Sequence, residues 1–258
     1  MRRLIVISGA GFSAESGVRT FRTDTDSGKA LWDEYDLEEV CNIHAFRGNF
    51  YHKTHMFYNK RRAELPTVHP NAAHLRVAEW YKRYPGQVVN MTTNVDDLLE
   101  RAGVPKEDTL YIHGYLKEIR YKLHEDSEEQ LVDIGYDEVD PDQFHWCKPN
   151  VIFFGENAPA YGPMQDTLES LTSQDLVIVV GCSNTVINFN WELFPAVMRG
   201  TKVVVVNPAI RYDEQMMYEN AGVLVYRTGA VDAFSKPSLI KIVENHLEGK
   251  TPLQTKEK

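Results

Sequence analysis

Leu4-Ile5-Val6-Ile7-Ser8 runs directly into Gly9-Ala10-Gly11-Phe12-Ser13-Ala14-Glu15-Ser16-Gly17, and the reading of this stretch decides the fold. Its first half is short, β-branched and apolar without alternation, as expected of a strand buried on both faces of a parallel sheet. Its second half matches G-x-G-x-x-A, a spacing that lets main-chain amides at a helix N-terminus approach a pyrophosphate. The same strand-then-turn punctuation recurs further on. QVVNM precedes Thr92, TLYI precedes His113, LVIVV precedes Gly181, KVVVV precedes Asn207 and VLVY precedes Arg227. Helical spacing fills Asn71 to Tyr84 and Asp213 to Asn220. The alternation predicts an α/β chain with a doubly wound, mostly parallel, Rossmann-like sheet and a ligand beyond the carboxyl ends of its strands. No second strand follows the glycines closely, so the acidic residue of an ordinary dehydrogenase fingerprint is missing.

Two stretches interrupt the alternation. One, from about Thr23 to Pro70, is aromatic and charged and reads as helices. The other, Tyr115 to Trp146, is acidic and polar. Assigning both to a smaller lobe gives a nucleotide-binding domain of residues 1–28, 71–114 and 147–258, and a lobe of residues 29–70 and 115–146. The 258 residues carry a net charge of −9, which argues against a partner held by its phosphates, so no nucleic acid is expected. Cys41, Cys147 and Cys182 are too scattered for a disulfide framework, which points to a reducing compartment. The apolar runs are far shorter than the ~20 residues that span a bilayer, and Leu4 to Ile7 is too short for a signal peptide. A cytoplasmic location off the membrane is the expectation.

Residues 9–22, GAGFSAESGVRTFR, resemble the opening of the sirtuins, the NAD-dependent protein deacylases. Further matches follow in order: TTNVDDLLERAG from Thr92, His113-Gly114, KPNVIFFGE from Lys148, Gly181-Cys182-Ser183, Asn207, and Gly229-Ala230. They extend over nearly the whole chain. The resemblance implies NAD as co-substrate, contacted by Gly9, Ala10, Gly11, Ser13, Glu15, Phe21, Arg22, Thr93, Asn94, Val95, Asp96, Gly181, Cys182, Ser183, Asn207 and Ala230. It implies His113 as general base, a role that suits a neutral imidazole with a pKa near working pH. It also implies Asn94 at the ribose and its water, and Asp96 at the nicotinamide amide. Thr93 stands where the family usually has Gln, so one ribose hydrogen bond worth about 1 kcal/mol is weakened or lost. Without the resemblance, Asn94 and Asp96 are ordinary turn or capping residues, and His113 is a structural histidine.

The segment Val151, Phe153, Phe154, Gly155 and Glu156 corresponds to the one that pairs by backbone with an acyl-lysine peptide in sirtuins, a form of strand addition. Tyr58 and Arg61 lie three apart on one face of an expected helix. With Lys60 and Arg62 they read as a solvated basic face, but Tyr-x-x-Arg also resembles the signature of the sirtuin branch that removes succinyl and malonyl groups. A phenol and a guanidinium can together hold a carboxylate. Typical sirtuins carry four zinc-binding cysteines before this segment. Here only Cys147 is present, with His124 and His145 as helpers, so no zinc and no other metal is expected. The function implied is an NAD-dependent protein-lysine deacylase that releases nicotinamide and O-acyl-ADP-ribose. The alternatives are an NAD glycohydrolase or ADP-ribosyl transferase on the same fold, or a non-catalytic NAD-binding module. Oligomeric state is not legible in the sequence.

Overall fold

The structure is a computed structural model that describes residues 1–19 and 35–250. Its main layer is a six-stranded sheet of β1 (Arg3–Ser8), β2 (Val88–Thr92), β3 (Thr109–Tyr111), β7 (Asp175–Val180), β8 (Lys202–Val206) and β9 (Leu224–Tyr226). The order across the sheet is β3-β2-β1-β7-β8-β9, and each pairing is parallel. The chain leaves β1 toward β2 on one side and later returns to β7 on the other. The switch point of a doubly wound sheet therefore lies between the ends of β1 and β7, the place where such folds leave a crevice.

The continuous apolarity of these strands has a direct cause. Leu4 and Val6 of β1 enter one core, while Ile5 and Ile7 enter another on the opposite face. Helices α1 (Ala10–Ala14), α5 (Ala72–Arg83), α6 (Leu98–Ala102), α10 (Ala230–Ser235) and α11 (Pro237–Leu247) contribute to the first face. Helices α7 (Tyr161–Glu169), α8 (Phe189–Met198) and α9 (Tyr212–Asn220) cover the second. The three cysteines are free and buried.

The smaller lobe contains α2 (Leu37–Val40), α3 (Ile43–Arg47), α4 (Tyr51–Glu64) and a three-stranded antiparallel sheet of β4 (Gly114–Tyr121), β5 (Gln130–Asp133) and β6 (Cys147–Val151). The acidic stretch 115–146 thus contains two strands that its polarity concealed, and β6 pairs with them rather than with the large sheet. Gly114 makes the passage between sheets possible. Its φ is +89°, and a Cβ there would stand 2.1 Å from the Asn150 carbonyl oxygen.

One face of α4 fastens this lobe. Tyr51 and His55 meet the backbone of Cys147, the first accepting from its N–H at 3.3 Å and the second bonding its carbonyl at 3.0 Å. Asn59 donates to the Val139 carbonyl at 2.8 Å and accepts from the Val139 N–H at 2.9 Å. Arg62, fully buried, donates to the Asp137 carbonyl at 3.0 Å, the Leu116 carbonyl at 3.5 Å and the Asn59 side chain at 2.5 Å. Spacings of three and four residues put all four side chains on one stripe. Arg62→Met is expected to leave these acceptors dry and unpaired, lowering stability by about 2–4 kcal/mol in urea denaturation.

Burial also sets an acid limit. It pushes His55 down to about 4 and His74 down to about 3. Both rings stay neutral in the fold, whereas the unfolded chain takes up protons near the ordinary 6.5. Their contribution is therefore intact above that value and is lost as pH falls toward 4. Thermal midpoints measured from pH 7 down to pH 4 are expected to drop steadily, and His55→Asn should flatten the slope.

Candidate active site

Four strand ends converge at the switch point. The turns after β1 and β7 meet backbone to backbone, with the Gly9 N–H on the Val180 carbonyl at 2.9 Å and the Gly11 N–H on the Gly181 carbonyl at 3.0 Å. A Cβ on Gly181, whose φ is +66°, would lie 2.4 Å from the Phe12 nitrogen. The glycines therefore serve the close packing of two turns as well as any approach of a ligand. Cys182 lies beneath this contact, its thiol pushed up to about 12 by burial.

The loop after β2 crosses in front of these turns. The Asn94 carboxamide donates to the Gly9 carbonyl at 3.0 Å and to Ser13 Oγ at 3.1 Å. His74, at the start of α5, explains the orientation of Ser13. Its Nδ1 accepts from the Asn71 N–H at 3.3 Å, so Nε2 carries the proton and faces Ser13 Oγ at 3.3 Å. Ser13 also acts on Asp96, holding its carboxyl down against burial, and the Asp96 carboxylate accepts from the Leu98 N–H at 3.1 Å. Burial holds the Asp96 carboxyl above the ordinary carboxylate range. Asn94 and Asp96 are thus tied into one network by Ser13. His74 was not among the sequence candidates; its only signal was a histidine three residues beyond a helix-capping asparagine.

Thr93 turns its hydroxyl back to the Ser8 carbonyl at 3.3 Å, which its own N–H also bonds at 2.9 Å. His113 follows β3, and its ring is half-buried between the Thr93 backbone and Tyr161, with Nε2 3.3 Å from the phenol oxygen. Burial holds its pKa below the usual histidine value, although the hydrogen bond to the Thr93 backbone opposes the shift.

The remaining candidates divide. Cys182, Ser183 and Asn207 line one cavity of about 450 Å³, with Asn184 and Arg211. Asn207 is braced there by its bond to the Cys182 carbonyl at 2.9 Å. Glu15 and Ala230 are not at this cavity. Glu15 accepts from the Val231 N–H at 2.9 Å and so caps α10, where Ala230 is buried. Phe21 and Arg22 lie outside the described residues.

Tyr58, Val151 and Phe153 share a core cluster against which Val95 also packs. Tyr58 stacks on Phe153 with ring centroids 5.4 Å apart, and its hydroxyl reaches Cys41 Sγ at 3.5 Å. Arg61 Nη1 donates to the Arg19 carbonyl and to Glu64, each at 3.4 Å, and its charge acts on Asp96. The 151–156 segment is more committed internally than expected. The Ile152 N–H bonds the His113 carbonyl, the Phe153 N–H bonds the Glu156 carboxylate, and Phe154 pairs with Cys41 and Ile43. Fewer of its main-chain groups are therefore open to a strand from outside than its length suggests. Glu156 is held inward by Lys148 at 3.0 Å.

The side chains of the small lobe do not fit a structural zinc ion. Cys147 is packed in an apolar cluster with Ile119 and Val139, and burial pushes its thiol up to about 11. Among the described residues no three His, Cys, Asp or Glu side chains converge on a point that could hold a metal. Nor, among them, is any helix long and apolar enough to cross a membrane. The nucleotide side is different. A tight glycine junction, a polar floor of Asn94 and Asp96, and an adjoining cavity are compatible with a dinucleotide that bridges them.

Comparison with known proteins agrees with this geometry. Residues 9–188 match the Sir2 family. An NAD-dependent protein deacylase of Helicobacter hepaticus is 41% identical over 210 residues, which span 74% of this chain and 78% of that protein. An enzyme of the same name from Vibrio vulnificus is 32% identical over 214 residues, 80% of this chain and 82% of its own. Among solved structures, a Sir2 homologue in complex with NAD superposes with a TM-score of 0.71 at 28% identity, covering 95% of this chain and 90% of that one. A Sir2 homologue mutant bound to ADP-ribose gives 0.74 at 27% identity, covering 96% and 94%.

Proposed function

The chain belongs to the Sir2 family, and from that premise we propose that it is an NAD-dependent protein-lysine deacylase that removes acetyl and negatively charged acyl groups, yielding nicotinamide and O-acyl-ADP-ribose. The observation that carries the reading is the convergence of Asn94, Asp96 and His113 at the β1/β7 switch point. NAD supplies the carbon that the acyl oxygen attacks and the ribose hydroxyl that finally accepts the acyl group. The chain's own residues do the rest. Ser13 and His74 hold Asn94 and Asp96 in register. His113, kept neutral by burial, offers a lone pair for a ribose hydroxyl proton. Asp96 serves as an acceptor for the nicotinamide amide.

Donors near the acyl end support a preference for anionic tails. Among the described residues Arg61 spends only Nη1 on partners, leaving Nε and Nη2 for a carboxylate. Among the described residues Tyr58 bonds nothing stronger than the Cys41 thiol. Arg61→Met is expected to lower kcat/KM for a succinyl-lysine peptide by about tenfold to a hundredfold, leaving an acetyl-lysine peptide within about threefold. Equal losses on both peptides would refute the selectivity.

The activity itself is tested by mass spectrometry after incubation with NAD and a succinyl-lysine peptide. Free lysine with O-succinyl-ADP-ribose is the expected result. An untouched peptide with NAD split to ADP-ribose and nicotinamide would replace deacylation with a glycohydrolase.

A further inference from the structure

Tyr161 is the first residue of α7, and its hydroxyl stands 3.3 Å from His113 Nε2, with the two rings 6.1 Å apart and inclined at 45°. The Thr93 backbone lies against the same ring and favours its charged form, as a carbonyl facing a ring N–H does. With Nε2 turned to Tyr161, the proton toward Thr93 is on Nδ1, and the unshared pair is on Nε2. The phenol must therefore be the donor at Nε2. Burial keeps the Tyr161 phenol above its ordinary pKa, so it retains its proton near neutrality. No charged side chain is in contact with the ring among the described residues. What faces it is the Thr93 backbone from the loop after β2 and Tyr161 from α7.

The lone pair needed by a general base is thus covered by a hydroxyl from another element. Resting on the reading of His113 as that base, we propose that Tyr161 is a positioning residue: it caps Nε2 in the resting enzyme, fixes the ring as the Nδ1–H tautomer, and withdraws when a ribose hydroxyl takes its place. In the step that follows, the ribose O–H bond breaks, its electron pair stays on oxygen, and the proton passes to Nε2. The imidazole becomes imidazolium, with its Nδ1–H still toward Thr93. Tyr161 itself gains and loses no proton. The short loop from Gly155 to Ala160 joins this cap to the segment where a peptide would pair, so a seated peptide has a direct covalent route to the residue that must move.

A donor on the neutral ring opposes its protonation. Tyr161→Phe in the full-length protein is therefore expected to raise the His113 pKa, followed by NMR of the imidazole without substrate, by roughly half to one unit. The acidic limb of kcat/KM should move up by the same amount, while the plateau at higher pH stays within about threefold. A His113 titration and an acidic limb both unchanged in Tyr161→Phe would overturn the proposal, whatever happens to the plateau. Ring nitrogen shifts of the unaltered protein give an independent test that needs no variant, since a resting Nε2–H tautomer would also overturn it. The base assignment fails separately: it falls if His113→Ala retains full deacylation, a result on which the Tyr161 titration has no bearing.

Discussion

His113→Ala is expected to abolish acyl-lysine removal, with a loss of about 10²- to 10⁴-fold in turnover, the range a positioned proton acceptor contributes. The loss should be uneven across the reaction. Nicotinamide departs before the ribose hydroxyl gives up its proton, so nicotinamide release measured in the first turnover should fall much less than the appearance of free lysine. An equal fall in both would mean that the ring matters for binding or folding instead. The protein itself should be little affected. The ring is only half-buried, its surroundings carry no charge partner, and removing a neutral imidazole strands one carbonyl and one phenol that water can reach. Thermal midpoints of the variant and the parent are therefore expected to agree within a few degrees.

Gly181→Ala is expected to cost far more stability than an ordinary methyl addition. Its φ of +66° disfavours a side chain, and the added carbon would also stand 2.4 Å from the Phe12 nitrogen and 2.6 Å from the Gly11 carbonyl carbon. Conformation alone costs about 1 kcal/mol. Backbone overlap cannot be relieved by a rotamer, so the total should exceed about 4 kcal/mol or prevent folding. Gly86→Ala is the matched control, because that glycine has a φ of +74° and nothing within 4 Å of the added carbon. It should cost only the conformational part. Similar denaturation midpoints for the two variants would show that the junction of the β1 and β7 turns is not rigid.

The large sheet was readable because its strands are dry on both faces. Residues 203–206 and 176–180 admit no solvent-facing position, so composition alone marks them. The small sheet was not, for the opposite reason. GYLKEIRY of β4 mixes Lys, Glu and Arg with its apolar residues without a regular alternation, and its partner Gln130–Asp133 is mostly exposed, so local sequence resembles a polar loop. The site shows the same division. His113 and Asn94 stand at strand ends, where position suggests chemistry. Tyr161 reaches His113 from 48 residues away along the chain, and His74 reaches Ser13, the partner of Asn94, from 61 residues away, through contacts that exist only once the helices have docked. Glu15 sits at the N-terminus of α10, a contact that its place beside the glycine loop did not signal.

The three buried thiols have a practical consequence. Cys41 and Cys147 are each held up near 11 and Cys182 near 12, so almost no thiolate exists in the native state. An alkylating reagent at neutral pH can modify them only during transient openings. Cys41 lies beside Tyr58, Cys147 in the small sheet and Cys182 under the glycine junction. Each therefore reports when its own neighbourhood breathes, and modification rates resolved by peptide mapping would rank the three regions by local free energy without a single engineered probe.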